Sequence, residues 1–454
     1  LGGRTYGIVW PDRRIQPEIY QLKKSAQPVK IEPIDPDNGK VRITNRHMFR
    51  NLNELTGLWQ ITVDGDTIQR GFFNPDLAPG KSVIDSIPFR MPKIEAGTEC
   101  LLTVSFLQKG KTEWADDGYE IAWDQMKINA PVYENQESET NTKISATENK
   151  DAVTISGGKF KYIISKKTGI FISMQHDGVE YLELGPVFNV WRAPLANDID
   201  PWGSEAFKGR NFTPGLGRSI DNQLRTLGMR DLIVQVDEME VLKLSGSKIV
   251  VKIKAFSNST LPTDRRMKSY NYFSAFERNE TWTFLADGTI ELEQEVIPHG
   301  IMPDMLQKVG LQFQLPKQFS QVEWYGRGPF ENYPDRKTGA KIGHYQSDAD
   351  QMYEPYIFPQ EYGNRCDVRW LKVQNKEGKG LLIKSETGVN FSLHKFTTDN
   401  LDRAVYTYQL KEAPNTILNV DFEVTGVGET ATRQLLKYRV LPGVKQNKLT
   451  IKPF

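Results

Sequence analysis

The run Trp324-Tyr-Gly-Arg-Gly-Pro-Phe-Glu-Asn-Tyr-Pro-Asp-Arg336 brings Arg327, Glu331, Asn332, Asp335 and Arg336 into one short stretch. Gly326, Gly328 and Pro329 exclude a regular helix and Pro334 closes the far end, so the run is expected as a loop stapled into a β framework. Glu331, Asp335, Arg327 and Arg336 are close enough in sequence to pair. A loop of this composition suits charge-assisted recognition, although the same arginines and carboxylates can simply brace it. A second stretch, Trp191 to Asp200, sets Arg192 beside Asn197, Asp198 and Asp200. These side chains can fork hydrogen bonds to hydroxyl groups or a partner loop, or close onto their own backbone. A third, Tyr353 to Asp367, supplies Glu361 and Arg365, and Phe391-Ser-Leu-His394 supplies a lone histidine. A histidine in that setting is more often a hydrogen-bonded framework residue than a general base.

What must position these residues is read from the rest of the chain. At 454 residues it is too long for one ordinary core, and two or three domains are expected. A net charge of +1 without a basic block gives no case for a nucleic-acid partner. Two cysteines make no disulfide framework, and five scattered histidines offer no metal-ligand spacing. No apolar run approaches the ~20 residues of a membrane span, and no signal peptide opens the chain. The first residue is Leu1 rather than Met, which suggests a piece of something longer.

In order, Gln16 to Lys24 has Pro17 and Glu18 where a helix begins and Lys23 and Lys24 where it ends. That helix is expected to have no domain of its own to pack on. From Val29 to Val132 short strands recur, with Asp64-Gly65 as a hairpin turn between Leu58–Val63 and Thr67–Phe73. This spacing argues for an immunoglobulin-like sandwich. Trp114 and Trp123 could stack on sugars, but aromatics alternating along a strand are expected in the core. Residues 133–150 are almost wholly polar and are expected as a linker unable to order itself. Residues 151–454 read as antiparallel β, with turns at Lys166–Gly169, Asp177-Gly178 and Asp287-Gly288 and one candidate helix from Ser219 to Met229. About three hundred residues of β without crossover helices imply a large two-sheet sandwich. The fold class is therefore all-β.

The run Tyr325 to Arg336 resembles the signature of the last domain of the large β-galactosidases of glycoside hydrolase family 2, the β-galactosidase small chain. Trp191 to Asp198 resembles the family's Arg-Ala-Pro-x-Asp-Asn-Asp, with Ala196 in place of the first acid. Tyr353 to Arg365 is similar to Tyr-x-Pro-Tyr-x-x-Pro-x-Glu-x-Gly-x-Arg, and Phe391–His394 and Leu401–Ala404 follow at family-like spacing. Trp114 to Gln125 resembles a strand of the preceding domain. The opening residues resemble the closing turn of the family's (β/α)8 barrel. The resemblance thus implies a barrel remnant at 1–27, an immunoglobulin-like sandwich at 28–132, the linker at 133–150, and a supersandwich of the galactose-mutarotase type at 151–454. It departs at Thr425 to Arg433, where many members carry a Trp that reaches the sugar pocket. Here Gly426 and Gly428 remain and Arg433 stands near the Trp position.

What the resemblance implies is the C-terminal, non-catalytic part of an enzyme that hydrolyses terminal β-D-galactosides with retention. Such chemistry needs two carboxyl groups ~5 Å apart, one able to give a proton. The pairs Glu331/Asp335 and Asp198/Asp200 sit near arginines that would keep both members ionised. The catalytic glutamates are expected on the barrel, outside this sequence. Arg192, Asn197, Asp198, Glu331, Asn332, Asp335, Arg336, Glu361, Arg365, His394 and Arg433 are the residues expected to face the sugar pocket or the barrel. No cofactor is expected in this region, the Mg and Na ions of the family being bound mainly outside it. The expected partners are the β-galactoside and the barrel, with homo-oligomers possible and neither nucleic acid nor membrane involved; the compartment, bacterial cytoplasm or periplasm, stays open. Two other readings remain. A carbohydrate-binding module would show an exposed aromatic platform. An aldose 1-epimerase would need His394 to converge with Glu331 or Glu361.

Overall fold

The computed structural model describes residues 8–133, 143–199, 219–260, 274–428 and 434–454. They divide into two compact units, Leu1–Ser138 with Thr338–His344 and Glu139–Lys337 with Tyr345–Phe454.

The first unit packs a three-stranded sheet (Val29–Asp35, Lys40–Asn45, Ser82–Ser86) on a four-stranded one. The second sheet runs Asp66–Phe73, Leu55–Val63, Cys100–Gln108, Glu120–Ile128. Alternation supplies the core: Val29, Ile31, Val41 and Ile43 meet Trp59, Ile61, Leu102, Val104 and Phe106. Asp64 and Gly65 make the expected turn, both at positive φ as a tight two-residue hairpin requires. The helix Glu18–Ala26 forms where Pro17 and the charge distribution place it. Contrary to expectation it has a sheet to lie on: Asp124 accepts from Lys24 Nζ at 2.6 Å and from Gln27 Nε2 at 3.0 Å. The expectation of core tryptophans also fails. Trp114 is 64% exposed because it sits in the loop before its strand, against the edge of Tyr119. Trp123 is half-buried between the ammonium groups of Lys24 and Lys341, 4.1 and 4.9 Å from its ring centre.

The second unit is one antiparallel sheet of seventeen strands that curls until distant strands pair. The last strand, Lys445–Pro453, pairs with both Ile290–Gly300 and Gly380–His394, and Lys308–Pro316 pairs with Asn415–Val424. The two faces that result enclose a core of Phe171, Trp282, Phe284, Phe313, Trp324, Phe391 and their neighbours. This is the expected all-β supersandwich. The polar tract before it is not wholly linker, however. Ser145–Glu148 is a strand paired with Ala152–Ser156, since Ile144 and Ala146 give it an apolar face. The candidate helix is present as Ile220–Thr226, with the Ser219 hydroxyl accepting from the Asn222 amide.

One feature of the register positions everything that follows. Along Lys308–Pro316 the residues Leu311, Phe313 and Leu315 enter this core and Val309 a smaller one around Phe188 and Trp191, so Lys308, Gly310, Gln312 and Gln314 turn to the opposite face. On the paired strands Gly310 lies opposite Asp421, and Asn419 lies between Gln312 and Ser392. The three strands therefore present a polar face, with Gln312 Nε2 donating to Asn419 Oδ1 at 3.0 Å and Asn419 Nδ2 to Ser392 Oγ at 3.1 Å. That face is buried rather than washed by solvent: Lys308, Ser392, His394, Asn419 and Asp421 are all nearly inaccessible. Burial at this level needs a hydrogen-bonded cover.

Candidate functional site: a loop lock on the polar sheet face

Loops carrying the sequence motifs bury this polar group. Arg192 is the centre of one half. Its Nε and Nη2 each reach an Asp198 carboxylate oxygen at 3.2 Å, and Nη1 and Nη2 donate to the carbonyls of Thr425 at 2.7 Å and Gly426 at 3.2 Å. Asp198 is completed by Gln307 Nε2 at 3.0 Å and the Leu195 amide at 3.1 Å. Burial pulls the Arg192 guanidinium toward deprotonation, but Asp198 beside it more than reverses that and raises its pKa. Both members of the pair are 1% exposed. The loop Thr425 to Gly428 is held from three sides. Asn197 Nδ2 donates to the Val427 carbonyl at 3.0 Å, and Asp335 accepts from the amides of Val427 and Gly428 at 3.0 and 2.8 Å. Glycine at 426 is what lets Asp335 approach, since a Cβ there would stand 2.4 Å from its carboxyl.

Glu331 is the centre of the other half. It accepts from Arg336 at 2.6 Å, from the Tyr356 hydroxyl at 2.7 Å and from the Gly363 amide at 2.6 Å. Asn332 binds the Asn364–Cys366 backbone edge, its amide donating to the Asn364 carbonyl and its Oδ1 accepting from the Cys366 amide, both at 2.9 Å. Arg365 donates to the carbonyls of Pro329 and Gly363 at 3.0 and 2.9 Å. Burial brings its pKa down to about 10, against the pull of Glu331. The halves meet at Tyr333, whose ring centre lies 5.9 Å from the Arg192 guanidinium and 5.7 Å from that of Arg336.

Of the residues expected at a site, the fold thus gathers Arg192, Asn197, Asp198, Asp335 into one group and Glu331, Asn332, Arg336, Arg365 into a second. Glu361 joins them through its amide, 3.2 Å from the Ala193 carbonyl, and burial raises its carboxyl pKa. His394 is fully buried, stacked on Tyr362 with ring centres 4.3 Å apart, its Nε2 on the Tyr362 carbonyl at 2.7 Å. Burial pushes its pKa down to about 4, so the ring is neutral near neutral pH. Arg433 and Asp200 lie outside the described residues. The expected pairing within Trp324–Arg336 holds only for Glu331 and Arg336. Arg327 instead pairs with Asp367 at 2.5 Å, because both sit on adjacent strands while Asp335 turns away to the 427–428 amides.

Lys308, Gln307 and Asp421 were missed by sequence reasoning. A lysine or aspartate alternating with apolar residues reads as a solvent-facing strand position, and only the covering loops make these buried. Chemically, the ion pairs are closed on the protein itself: the oxygens of Glu331 and Asp198 face protein donors, and the Arg192 fork is filled by Asp198 and two carbonyls. Among the described residues no group of three or more His, Cys, Asp or Glu side chains could hold a metal ion.

Comparison with known proteins places these loops in a lineage. Residues 156–450 match the family model described as the β-galactosidase small chain, and residues 41–129 match β-galactosidase domain 4. A β-galactosidase of Priestia megaterium is 29% identical over 93% of this chain, and one of Vibrio cholerae is also 29% identical over 93%. In both cases the chain spans 38% of the relative's length. A galactose 1-epimerase from Lactobacillus acidophilus superposes on 70% of this chain with a TM-score of 0.31 and 9% identity, too low to carry an argument. The family match contains every motif loop of the lock, from Arg192 to Gly428, and on that match the chain belongs to the β-galactosidase small-chain family.

Proposed function

We propose that this chain is the C-terminal region of a β-galactosidase that hydrolyses terminal β-D-galactosides with retention, and that its own part is structural. It braces the catalytic barrel, helps shape the wall of the sugar pocket and offers assembly surfaces. The observation that supports this most is the state of the motif carboxylates. A glycosidase acid must be able to hold and release a proton toward substrate, whereas Glu331 and Asp198 each accept several protein hydrogen bonds and pair with an arginine. The catalytic pair, and the Mg and Na ions of the whole enzyme, belong in this reading to polypeptide outside this chain.

The test is an assay of the purified 454-residue chain on a chromogenic β-galactoside, alone and after mixing with the remaining N-terminal portion of the Priestia megaterium relative. No turnover alone and recovered turnover on mixing is the expected outcome. Enzymatic turnover by the chain alone would overturn the assignment of a non-catalytic role.

One observation favours the carbohydrate-binding module as a second reading. Tyr406 and Tyr408 lie parallel, 5.5 Å apart at 9°, and are 55% and 79% exposed. Their turn is rigid, with Gln409 Oε1 accepting from the amides of Val405 and Tyr406. Calorimetry with galactose and β-galactosides decides it: heat that disappears in Tyr408→Ala supports a binding platform, and no heat rejects it.

A further inference from the structure

Beneath the lock, Lys308 Nζ and Asp421 Oδ2 are 3.3 Å apart on paired strands, both side chains 2% exposed. Gly310 lies opposite Asp421 and leaves the room its carboxyl fills, since a Cβ there would be 2.1 Å from Oδ1. Yet Oδ1 is buried without a hydrogen-bond partner. The carboxyl of Glu361, on the covering loop and 4% exposed, also has no hydrogen bond among the described residues, and it lies within electrostatic reach of Lys308 and Asp421.

The surrounding charges do not make up the deficit. Arg192 is committed to Asp198 and two carbonyls, and Arg336 to Glu331. Asp198 and Glu331 add further negative potential at Glu361. His394, within electrostatic reach of Lys308 from two strands away, is neutral, and the Tyr333 hydroxyl, within reach of Glu361, is held protonated by burial. With Arg192 and Arg336 each already balancing a carboxylate, two further buried carboxyl groups share the Lys308 ammonium and the residual field of Arg192. An ionised carboxylate has nothing to donate, so protonating one of the two removes a buried negative charge and supplies a donor.

We infer that the buried carboxyls of Glu361 and Asp421 together hold one proton beside Lys308 and so make the stability of the folded chain depend on pH. The bound proton neutralises one of the two carboxylates and restores a donor to the cluster. Burial acts in the same direction, raising the pKa of Glu361 and lifting that of Asp421 to about 6. In the unfolded chain an aspartate titrates near ~3.9. The folded state thus holds a proton that the unfolded state has released, so its contribution is present at low pH and is lost as pH rises from about 4 through about 6. This is opposite in sign to a salt-bridged carboxylate.

The test is denaturant unfolding of the whole chain at several pH values between about 4.5 and about 8, for wild type and Glu361→Gln. Asp421→Asn serves as a second variant. The ratio of wild-type to variant folding constants should fall as pH rises across the window, with a limiting slope of about tenfold per pH unit for one exchanged proton. Parallel pH profiles for wild type and both variants would overturn the pair. Should the variants fail to fold, infrared titration of the folded wild type decides it. A protonated-carboxyl carbonyl band that persists above the ordinary carboxylate range supports the proposal, and its absence refutes it.

Discussion

Two of the buried ion networks in the second unit solve different problems. Arg278 and Glu280 pair within one strand, Ser274–Leu285, facing the apolar interior. Trp282 Nε1 and Gln294 Nε2 donate to Glu280 at 2.9 and 3.0 Å, and Asn447 Nδ2 donates to Gln294 Oε1 at 3.1 Å. Every partner sits on strands already zipped by backbone hydrogen bonds. The loop lock is different, because Arg192, Asp335 and Glu331 bind loop segments outside the strand pairings. Ion pairs that repeat what a sheet already holds are replaceable, whereas ion pairs that fasten a loop onto the sheet are not. Taking two charges out of water costs about as much as their attraction returns, so a buried pair is justified by what it positions.

That contrast can be broken experimentally, and the largest effect should come from the lock. Arg192→Met leaves Asp198 buried and unpaired, orphans the carbonyl of Thr425 and leaves that of Gly426 with Gln434 alone. It should cost about 3–5 kcal/mol in denaturant unfolding. Glu331→Gln keeps the shape but uncovers the Arg336 charge, and about 2–3 kcal/mol is expected by the same measurement. Gly426→Ala drives a methyl group into the Asp335 carboxyl and should cost about 1–3 kcal/mol, with the loss confined to the 425–428 loop. The double change Arg278→Met with Glu280→Gln removes both charges yet keeps an acceptor for Trp282. It should lie within about 1 kcal/mol of wild type. If the strand pair proves as costly to remove as the lock, the distinction between replaceable and tethering pairs fails. Arg403→Ala, in an exposed pair with Asp399, is the baseline at under about 0.5 kcal/mol.

How much of this was legible depended on whether the cause was local. Alternation and turn chemistry act over a few residues, so the hairpin at Asp64-Gly65, the turn at Asp177-Gly178 and the short helix after Ser219 could be read directly. The all-β class followed from the same signals. The motif loops were visible as unusual composition, but their partners were not. Arg327 finds Asp367 and Asp335 finds the 427–428 amides through strand pairings that no local pattern encodes. Lys308 and Asp421 are 113 residues apart in sequence and come together through the sheet register. The strand Ser145–Glu148 was hidden because two apolar residues in a polar tract are too few to register as a pattern. Trp114 was misplaced because burial tendency describes a residue type and not the loop it occupies.

The central claim is that residues from four separate motifs act as one tether over the polar sheet face. Amide hydrogen exchange on wild type and Glu331→Gln tests it most directly, read over residues 191–199, 329–337, 360–366 and 425–428. The account predicts that protection falls in all four stretches together while the strand Ser274–Leu285 keeps its own. Loss of protection confined to residues 329–337 and 360–366, where Glu331 makes its own contacts, would contradict it.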